Sequence, residues 1–216
     1  MSEDIHTVSS SEVYEMVNNC VLFDLDGVLV DACDWHYMAL NEAMREIVGF
    51  EISREEHIAK YNGLPTAVKL RMIGIEAPTA CRIEALKQMK TLEIIADNAK
   101  IMPEKQELHS YLKSNGVKIA CVTNSIYLTA AEMLRRTGQF EFMDLIVSNA
   151  DVKKNKPHPD CYDFAVKSLG VDPIACLCVE DSPKGIDAAK ASCVPNLWVV
   201  SNSSDVTLEN YKEIVK

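Results

Sequence analysis

The sequence has no apolar run near the roughly 20 residues that a helix needs to span a bilayer. Its first stretch, MSEDIHTVSSSEVYEMVNN, is polar and acidic, and it lacks the basic start and apolar centre of a secretory signal. We therefore expect neither membrane insertion nor secretion, and the sequence favours a cytoplasmic location.

Positive charge is also in short supply, because 22 Lys and Arg stand against 32 Asp and Glu, for a formal net charge of −10. Nucleic acids and anionic membranes are bound mainly through Lys and Arg, so we expect neither as a partner. A small anionic substrate needs only local positive charge, and the composition does not exclude one.

Cysteine spacing typical of zinc sites is missing, although the chain has eight cysteines. The closest pair, Cys176 and Cys178, forms CLC rather than CxxC. Cys20 and Cys121 share the same kind of apolar, strand-like surroundings. We predict buried, reduced thiols rather than disulfides.

Five short apolar runs are present in the 216 residues, and most of them do not alternate with polar residues. They are CVLFDLD (20–26), VKIACVTNS (117–125), DLIVSNA (144–150), CLCVED (176–181) and NLWVVS (196–201). Such runs are typical of strands that are covered on both faces. Helical patterns separate the later runs, so we predict an α/β fold with a Rossmann-like, doubly wound parallel sheet.

The first gap between strands is much longer than one crossover helix requires. It is rich in helical patterns, including a stripe formed by Ala39, Leu40, Ala43, Met44, Ile47 and Val48. We predict a helical cap over 33–99, inserted into a core formed by 1–32 and 100–216.

Polar residues gather where the predicted strands end, which is where open α/β sheets bind ligands. These residues are Asp24, Asp26, Thr123, Asn124, Glu180 and Asp181, with Lys156 in the loop after the third strand. Asp24 and Asp26 are two apart, so an ideal strand directs both carboxylates to one face. Hard oxygen ligands of this kind suit Mg²⁺. A calcium loop is disfavoured, because Gly27 follows Asp26 directly.

Taken singly, several of these residues also have simple structural explanations. Thr123 is a good strand former, and Ser125 could cap the helix that follows. Lys156 could be a solvated surface charge, and Asp181 could cap the next helix. Only their common position at strand ends makes them a candidate site.

Four segments, FDLDGVL, ACVTNS, KPHPD and VEDSPKGIDAAKAS, resemble in this order the four motifs of the haloacid dehalogenase-like (HAD) hydrolase superfamily. The resemblance extends from Val21 to about Val200. The helical insertion directly after the first motif is similar to the branch that contains phosphoglycolate phosphatase and β-phosphoglucomutase.

The resemblance implies a role for each residue of the motifs. Asp24 would attack phosphorus and form an aspartyl-phosphate, and Asp26 would act as general acid and then general base. A proton on Asp26 at one step implies a raised pKa for this carboxyl.

The remaining motif residues are implied to bind the metal and the phosphoryl group. Mg²⁺ would be bound by Asp24, the backbone carbonyl of Asp26 and Asp181, with Glu180 close by. Thr123 and Lys156 would hold the transferring phosphoryl oxygens, and Asn124 would add a hydrogen bond to the substrate.

The resemblance implies a Mg²⁺-dependent phosphatase of a small phosphorylated metabolite, with a sugar phosphate as one candidate, and a monomer. Asp26 disfavours dehalogenation, because a departing halide needs no proton. Two alternatives stay open: a sugar phosphomutase of the β-phosphoglucomutase type, and a non-catalytic phospho-acceptor or binding protein on the same scaffold.

The predicted cap supplies candidates for substrate recognition. His36 matches a hinge histidine of this branch. The segment NGLPTAV stands where the mutase has Lys-Gly-x-Ser-Arg, so Asn62 and Thr66 replace the lysine and the arginine that grip a second phosphate. This replacement favours a phosphatase, and we expect His36, Asn62 and Lys69 to contact the substrate.

Overall fold

The computed structural model describes residues 19–61 and 64–216. The strands are β1 (Cys20–Phe23), β2 (Lys118–Val122), β3 (Leu145–Val147), β4 (Cys176–Glu180) and β5 (Asn196–Val199). They form one parallel sheet in the order β3-β2-β1-β4-β5. The chain therefore runs outward from β1 on one side and then crosses to the other side, and the predicted doubly wound α/β fold is confirmed.

Helices connect the strands. They are α1 (Cys33–Val48), α2 (Arg54–Glu56) with a π-helical turn (His57–Tyr61), α3 (Thr66–Met72), α4 (Thr79–Asn98), α5 (Pro103–Ser114), α6 (Tyr127–Arg136), α7 (Asp160–Leu169), α8 (Pro183–Ala191) and α9 (Leu208–Ile214). Short 3₁₀ helices occupy Phe140–Phe142, Pro173–Ala175 and Ser203–Asp205. Within 19–61 and 64–216, no helix is long and apolar enough to cross a membrane.

The central strand β1 is buried over its whole length because both faces of the sheet are covered. Val21 and Phe23 belong to the apolar cluster on one face, and Cys20 and Leu22 to the cluster on the other. Side chains of a strand alternate between faces, so a strand covered on both sides has no polar position. Each fully buried apolar side chain stabilises the fold by about 1.5–3 kcal/mol.

Helices α1 to α4 lie between β1 and β2 in the chain and have an apolar cluster of their own. This cluster is built around Leu40, Met44, Leu70 and Ile83. The predicted stripe on α1 ends early, because Val48 at the end of the helix is exposed. The division into a cap over 33–99 and a core stays a prediction.

The eight cysteines all carry free thiols. Cys20, Cys121, Cys176 and Cys178 are buried in strands, as the apolar runs predict, and Cys161 is buried in α7. Cys33, Cys81 and Cys193 are exposed, so the prediction of burial was wrong for these three, which lie in or beside helices rather than in strands.

Candidate active site

The candidate site lies where β2, β1 and β4 end side by side. Asp24 follows β1, Thr123 follows β2, and Asp181 follows β4. Parallel pairing of β1 with both neighbours brings these three residues to one edge of the sheet. The backbone continues the pairing, since Asp24 N–H donates to the Val179 carbonyl at 3.0 Å.

Lys156 is the positive charge at the centre of the site. Its Nζ donates to Asp24 Oδ1 at 2.5 Å, to Glu180 Oε1 at 2.6 Å and to the Val122 carbonyl at 2.7 Å. An ammonium has three N–H donors, so all of them are used within the protein. Burial disfavours the charge, but the two carboxylates outweigh it and raise the Lys156 pKa above its usual range. Lys156 is thus a buried ion-pair partner and not a solvated surface charge.

Asn124 holds the backbone of Lys156. Its Oδ1 accepts from the Lys156 N–H at 3.1 Å, and its Nδ2 donates to the Lys156 carbonyl at 3.2 Å. Both ends of the Asn124 amide are therefore occupied by the loop that carries Lys156. This geometry favours a positioning role for Asn124, whereas the sequence suggested a substrate contact.

Glu180 is fully buried and is shared among several donors. Its Oε1 accepts from Lys156 and from the Tyr162 hydroxyl, the latter at 2.6 Å, and its Oε2 accepts from Asp181 N–H at 3.2 Å. Gly185 in α8 leaves the room for this carboxylate, because a Cβ there would lie 2.0 Å from its oxygens. Glu180 therefore needs glycine at this position.

Asp26 has different partners from Asp24. Its Oδ1 lies 3.1 Å from His36 Nε2, and its Oδ2 accepts from Ser125 Oγ at 3.2 Å. Lys87 Nζ lies 3.3 Å from His36 Nδ1. Since a charged Lys87 only donates, His36 Nδ1 accepts, and His36 Nε2 carries the hydrogen that points to Asp26. Ser125 contacts the acid and is not the helix cap, a position that Ile126 occupies.

The pKa of Asp26 differs from the sequence expectation. Burial acts to raise this pKa, but His36 and the Ser125 hydroxyl outweigh burial and lower it below the usual range. The expected rise was therefore wrong for this arrangement, because the donors that converge on the carboxylate could not be placed beside it from the sequence. Both donors stabilise the ionised form of Asp26.

The carboxylates of Asp24, Glu180 and Asp181 fit a divalent cation. One oxygen from each lies within 4.8 Å of the others, and Asp181 Oδ1 is buried with no hydrogen-bond partner among the described residues. Burial and the neighbouring Glu180 raise the pKa of Asp181 to about 6. Gly27, at φ +93°, admits the Asp181 carboxylate, since a Cβ there would lie 2.1 Å from Oδ2. Hard oxygens in this arrangement suit Mg²⁺.

The Asp26 side chain is outside this carboxylate cluster. Its two oxygens face His36 and Ser125. The ligand predicted from Asp26 is its backbone carbonyl, and that contact stays a prediction.

The candidate recognition residues of the inserted helices are placed only in part. Asn62 lies outside the described residues. Lys69 is buried, with Nζ 3.1 Å from His57 Nε2. Burial, followed by repulsion from Lys87 and Lys184, lowers the Lys69 pKa to about 8. Burial likewise lowers the pKa of His57 to about 4, so a neutral His57 accepts a hydrogen bond from Lys69.

Three contributors escaped the sequence analysis. Lys87 and Tyr162 lie inside helices α4 and α7, and Ser125 was assigned only a capping role. Their partners are 18 to 99 residues away in the chain. For Tyr162, the one available signal was its position just after the KPHPD motif, because a loop and the helix that follows it often pack together.

The site combines acidic residues at the end of a central parallel strand with a buried lysine and a second acidic pair on the neighbouring strand. This combination is typical of hydrolases that act on phosphoryl groups. The family model for haloacid dehalogenase-like hydrolases matches residues 21–199, and the chain belongs to this family. The family predicted from the motifs is thus confirmed.

Relatives extend over most of the chain. The phosphorylated carbohydrates phosphatase of Thermotoga maritima is 28% identical over 189 residues, which is 85% of each chain. The β-phosphoglucomutase of Bacillus subtilis is 29% identical over 212 residues, covering 88% of this chain and 92% of the relative. The crystal structure of CbbY from Rhodobacter sphaeroides in complex with phosphate shares the fold, with a TM-score of 0.76 and 24% identity over 84% of this chain and 85% of that one.

Proposed function

We propose that the protein is a Mg²⁺-dependent phosphatase that hydrolyses a small phosphomonoester through an aspartyl-phosphate on Asp24. The observation that carries the proposal is that two neighbouring carboxylates have different partners. Asp24 is bound to Lys156, and Asp26 is bound to His36. Asp24 is thereby oriented as a nucleophile, and Asp26 has partners through which it can exchange a proton. The Thermotoga relative, named for phosphorylated carbohydrates, makes a sugar phosphate the first candidate substrate.

In the first half-reaction, a carboxylate oxygen of Asp24 bonds to phosphorus and the bond from phosphorus to the ester oxygen breaks. Protonated Asp26 gives its proton to that leaving oxygen, and the alcohol departs. Lys156 supports the attack through its charge and by orienting Asp24, since its three N–H groups are already used. The Thr123 hydroxyl, which accepts from Ser125 N–H at 3.0 Å, can donate its own hydrogen to a phosphoryl oxygen.

In the second half-reaction, Asp26 is a carboxylate and takes a proton from water. The water oxygen bonds to phosphorus as the bond to Asp24 breaks, and inorganic phosphate leaves. Asp26 is then protonated for the next cycle. The low pKa of Asp26 keeps this carboxyl ionised, which is the form that a general base must have before it takes the proton.

Mg²⁺ would be held by the carboxylates of Asp24 and Asp181, with Glu180 beside them and the Asp26 carbonyl as a further predicted ligand. When bound, the ion would supply positive charge that stabilises the phosphoryl oxygens. Lys69 and Asn62 are proposed to select the substrate, together with His36. Cytoplasmic location, a monomeric state and the absence of nucleic-acid or membrane partners stay predictions.

The proposal is tested by hydrolysis of p-nitrophenyl phosphate with and without EDTA. We expect turnover that EDTA abolishes and added Mg²⁺ restores. Asp24→Asn should lower kcat by at least about a thousandfold, because the nucleophile is lost. Asp97→Asn, at an exposed position in α4, is the matched control and should keep wild-type turnover. Full activity of Asp24→Asn, or turnover indifferent to EDTA, would overturn the mechanism.

A sugar phosphomutase is the second candidate, favoured by the relative from Bacillus subtilis. A mutase returns the phosphoryl group to a second hydroxyl of the sugar, whereas a phosphatase passes it to water. Conversion of β-glucose 1-phosphate, primed with the bisphosphate, distinguishes the two. We expect release of inorganic phosphate to exceed isomerisation.

A further inference from the structure

Tyr162 lies in the first turn of α7 and is among the largest fully buried side chains. Its hydroxyl donates to Glu180 Oε1 at 2.6 Å. Its ring lies under the Lys156 ammonium, with Nζ 5.0 Å from the ring centroid. One side chain thus contacts both members of the buried Lys156–Glu180 ion pair.

We propose that Tyr162 is a positioning residue, whose hydroxyl keeps the Lys156 ammonium divided between Glu180 and the nucleophile Asp24. The inference rests on the proposed function, because it concerns the orientation of Asp24 for attack. Nothing in the motif pattern assigns a role to Tyr162.

The argument starts from the donors available to Glu180. This carboxylate is fully buried, so water does not satisfy it, and its oxygens depend on Lys156, Tyr162 and Asp181 N–H. Buried carboxylates lose much free energy when a donor is removed. Without the Tyr162 hydroxyl, Glu180 is left with the Lys156 ammonium as its only donor at Oε1.

Lys156 is shared almost equally between the two acids. Its Nζ lies 2.5 Å from Asp24 Oδ1 and 2.6 Å from Glu180 Oε1. Charge-assisted bonds in a buried site are strong, so a small imbalance shifts the ammonium. Loss of the Tyr162 hydroxyl therefore draws Lys156 toward Glu180 and loosens Asp24.

The ring and the hydroxyl of Tyr162 can be separated by substitution. Tyr162→Phe keeps the ring beneath Lys156 and removes only the donor to Glu180. We expect kcat for p-nitrophenyl phosphate to fall roughly tenfold, with KM within about twofold, since the orientation of Asp24 matters most in the transition state. The control is Tyr111→Phe, on the half-buried face of α5, which should match wild type. A kcat for Tyr162→Phe equal to that of the control overturns the inference.

A double-mutant cycle shows whether Tyr162 acts through Glu180. If it does, Tyr162→Phe has little further effect on kcat in a Glu180→Gln background. The same tenfold loss in both backgrounds means that Tyr162 acts otherwise, and it overturns the proposal. Thermal melts of each variant separate a folding defect from a change in kcat.

A crystal structure of Tyr162→Phe gives a readout that does not depend on turnover. We expect Lys156 Nζ to keep its contact with Glu180 and to lie farther from Asp24 Oδ1 than the 2.5 Å of the wild-type protein. An unmoved ammonium contradicts the proposal, whatever the rate. If wild-type protein has no phosphatase activity, the proposed function fails first, and this structural comparison still decides the position of Lys156.

Discussion

At the scale of single residues, two aspartates separated only by Leu25 have opposite surroundings. Asp24 faces the Lys156 ammonium, whereas Asp26 faces an imidazole and a hydroxyl. Burial and the nearby acids raise the pKa of Asp24 despite Lys156, and donors lower that of Asp26. Local partners, rather than residue type, thus set the pKa of each acid.

Lys87 provides a prediction at this scale. Replacing it with Met removes the donor to His36 Nδ1, so the imidazole is no longer held with its Nε2 hydrogen toward Asp26. We expect Lys87→Met to lower kcat roughly tenfold with little change in KM, measured with p-nitrophenyl phosphate. Lys90→Met, on the same helix but paired with Glu93, is the control. Equal rates for both variants would show that Lys87 does not act on the acid.

Lys69 provides a prediction about substrate choice. Its ammonium is held by His57 and is repelled by Lys87 and Lys184, so an anionic group of a substrate would relieve this repulsion. We expect Lys69→Met to raise KM for the best sugar phosphate about tenfold and KM for p-nitrophenyl phosphate less than twofold. Lys60→Met, at an exposed lysine paired with Glu56, should change neither constant. A uniform rise for all substrates, or none, contradicts the assignment of Lys69 to recognition.

At the scale of elements, helix α8 approaches β4 so closely that one position has no space for a side chain. Gly185 faces the Glu180 carboxyl group, and a Cβ there would lie 2.0 Å from the Glu180 side-chain atoms Cδ, Oε1 and Oε2. Alanine normally favours a helix over glycine by about 1 kcal/mol. Here the contact outweighs that preference, because Glu180 has no free direction in which to move.

We therefore expect Gly185→Ala to destabilise the protein by about 1–3 kcal/mol and to lower kcat at least about tenfold. Urea unfolding and p-nitrophenyl phosphate turnover measure the two effects. Asp187→Ala, at an exposed position in the same helix, should be nearly neutral in both. A stabilised Gly185→Ala would show that α8 can shift away from β4 without cost.

Site residues that follow strands could be predicted from the sequence, whereas some site residues inside helices could not. The carboxyl ends of parallel strands lie at one edge of the sheet. The positions of Asp24, Thr123 and Asp181 at strand ends were therefore enough to predict that they lie close together. Which side of a helix faces the site depends on packing between distant segments. Lys87 on α4 and Tyr162 on α7 therefore could not be placed from the sequence.

At the scale of the whole molecule, a buried polar path links three distant segments. His109 Nε2 on α5 lies 3.0 Å from Gln139 Oε1, and Gln139 Nε2 donates to the Leu29 carbonyl at 3.1 Å. Leu29 belongs to the turn that follows the two aspartates. The path ties that turn to the packing of α5 against the sheet.

This path predicts how stability depends on pH. Burial lowers the pKa of His109 to about 4 from a usual 6.5, so the unfolded chain binds its proton first as the pH falls. The contribution of neutral His109 to the free energy of unfolding is therefore fully present above pH 6.5. It is lost as the pH falls toward 4, by about 3 kcal/mol. Urea unfolding between pH 4 and 7 should show a shallower pH slope for His109→Gln than for wild type. His158→Gln, at an exposed histidine, should keep the wild-type slope, and equal slopes for all three proteins would contradict the prediction.

The link from Lys87 through His36 to Asp26 joins residues of the inserted helices to the turn after β1. If those helices swing away to admit a reactant, the imidazole leaves with them. Asp26 then loses one of the two donors that stabilise its carboxylate, and its affinity for a proton rises. The proton exchange proposed for Asp26 would in this way depend on the position of the inserted helices.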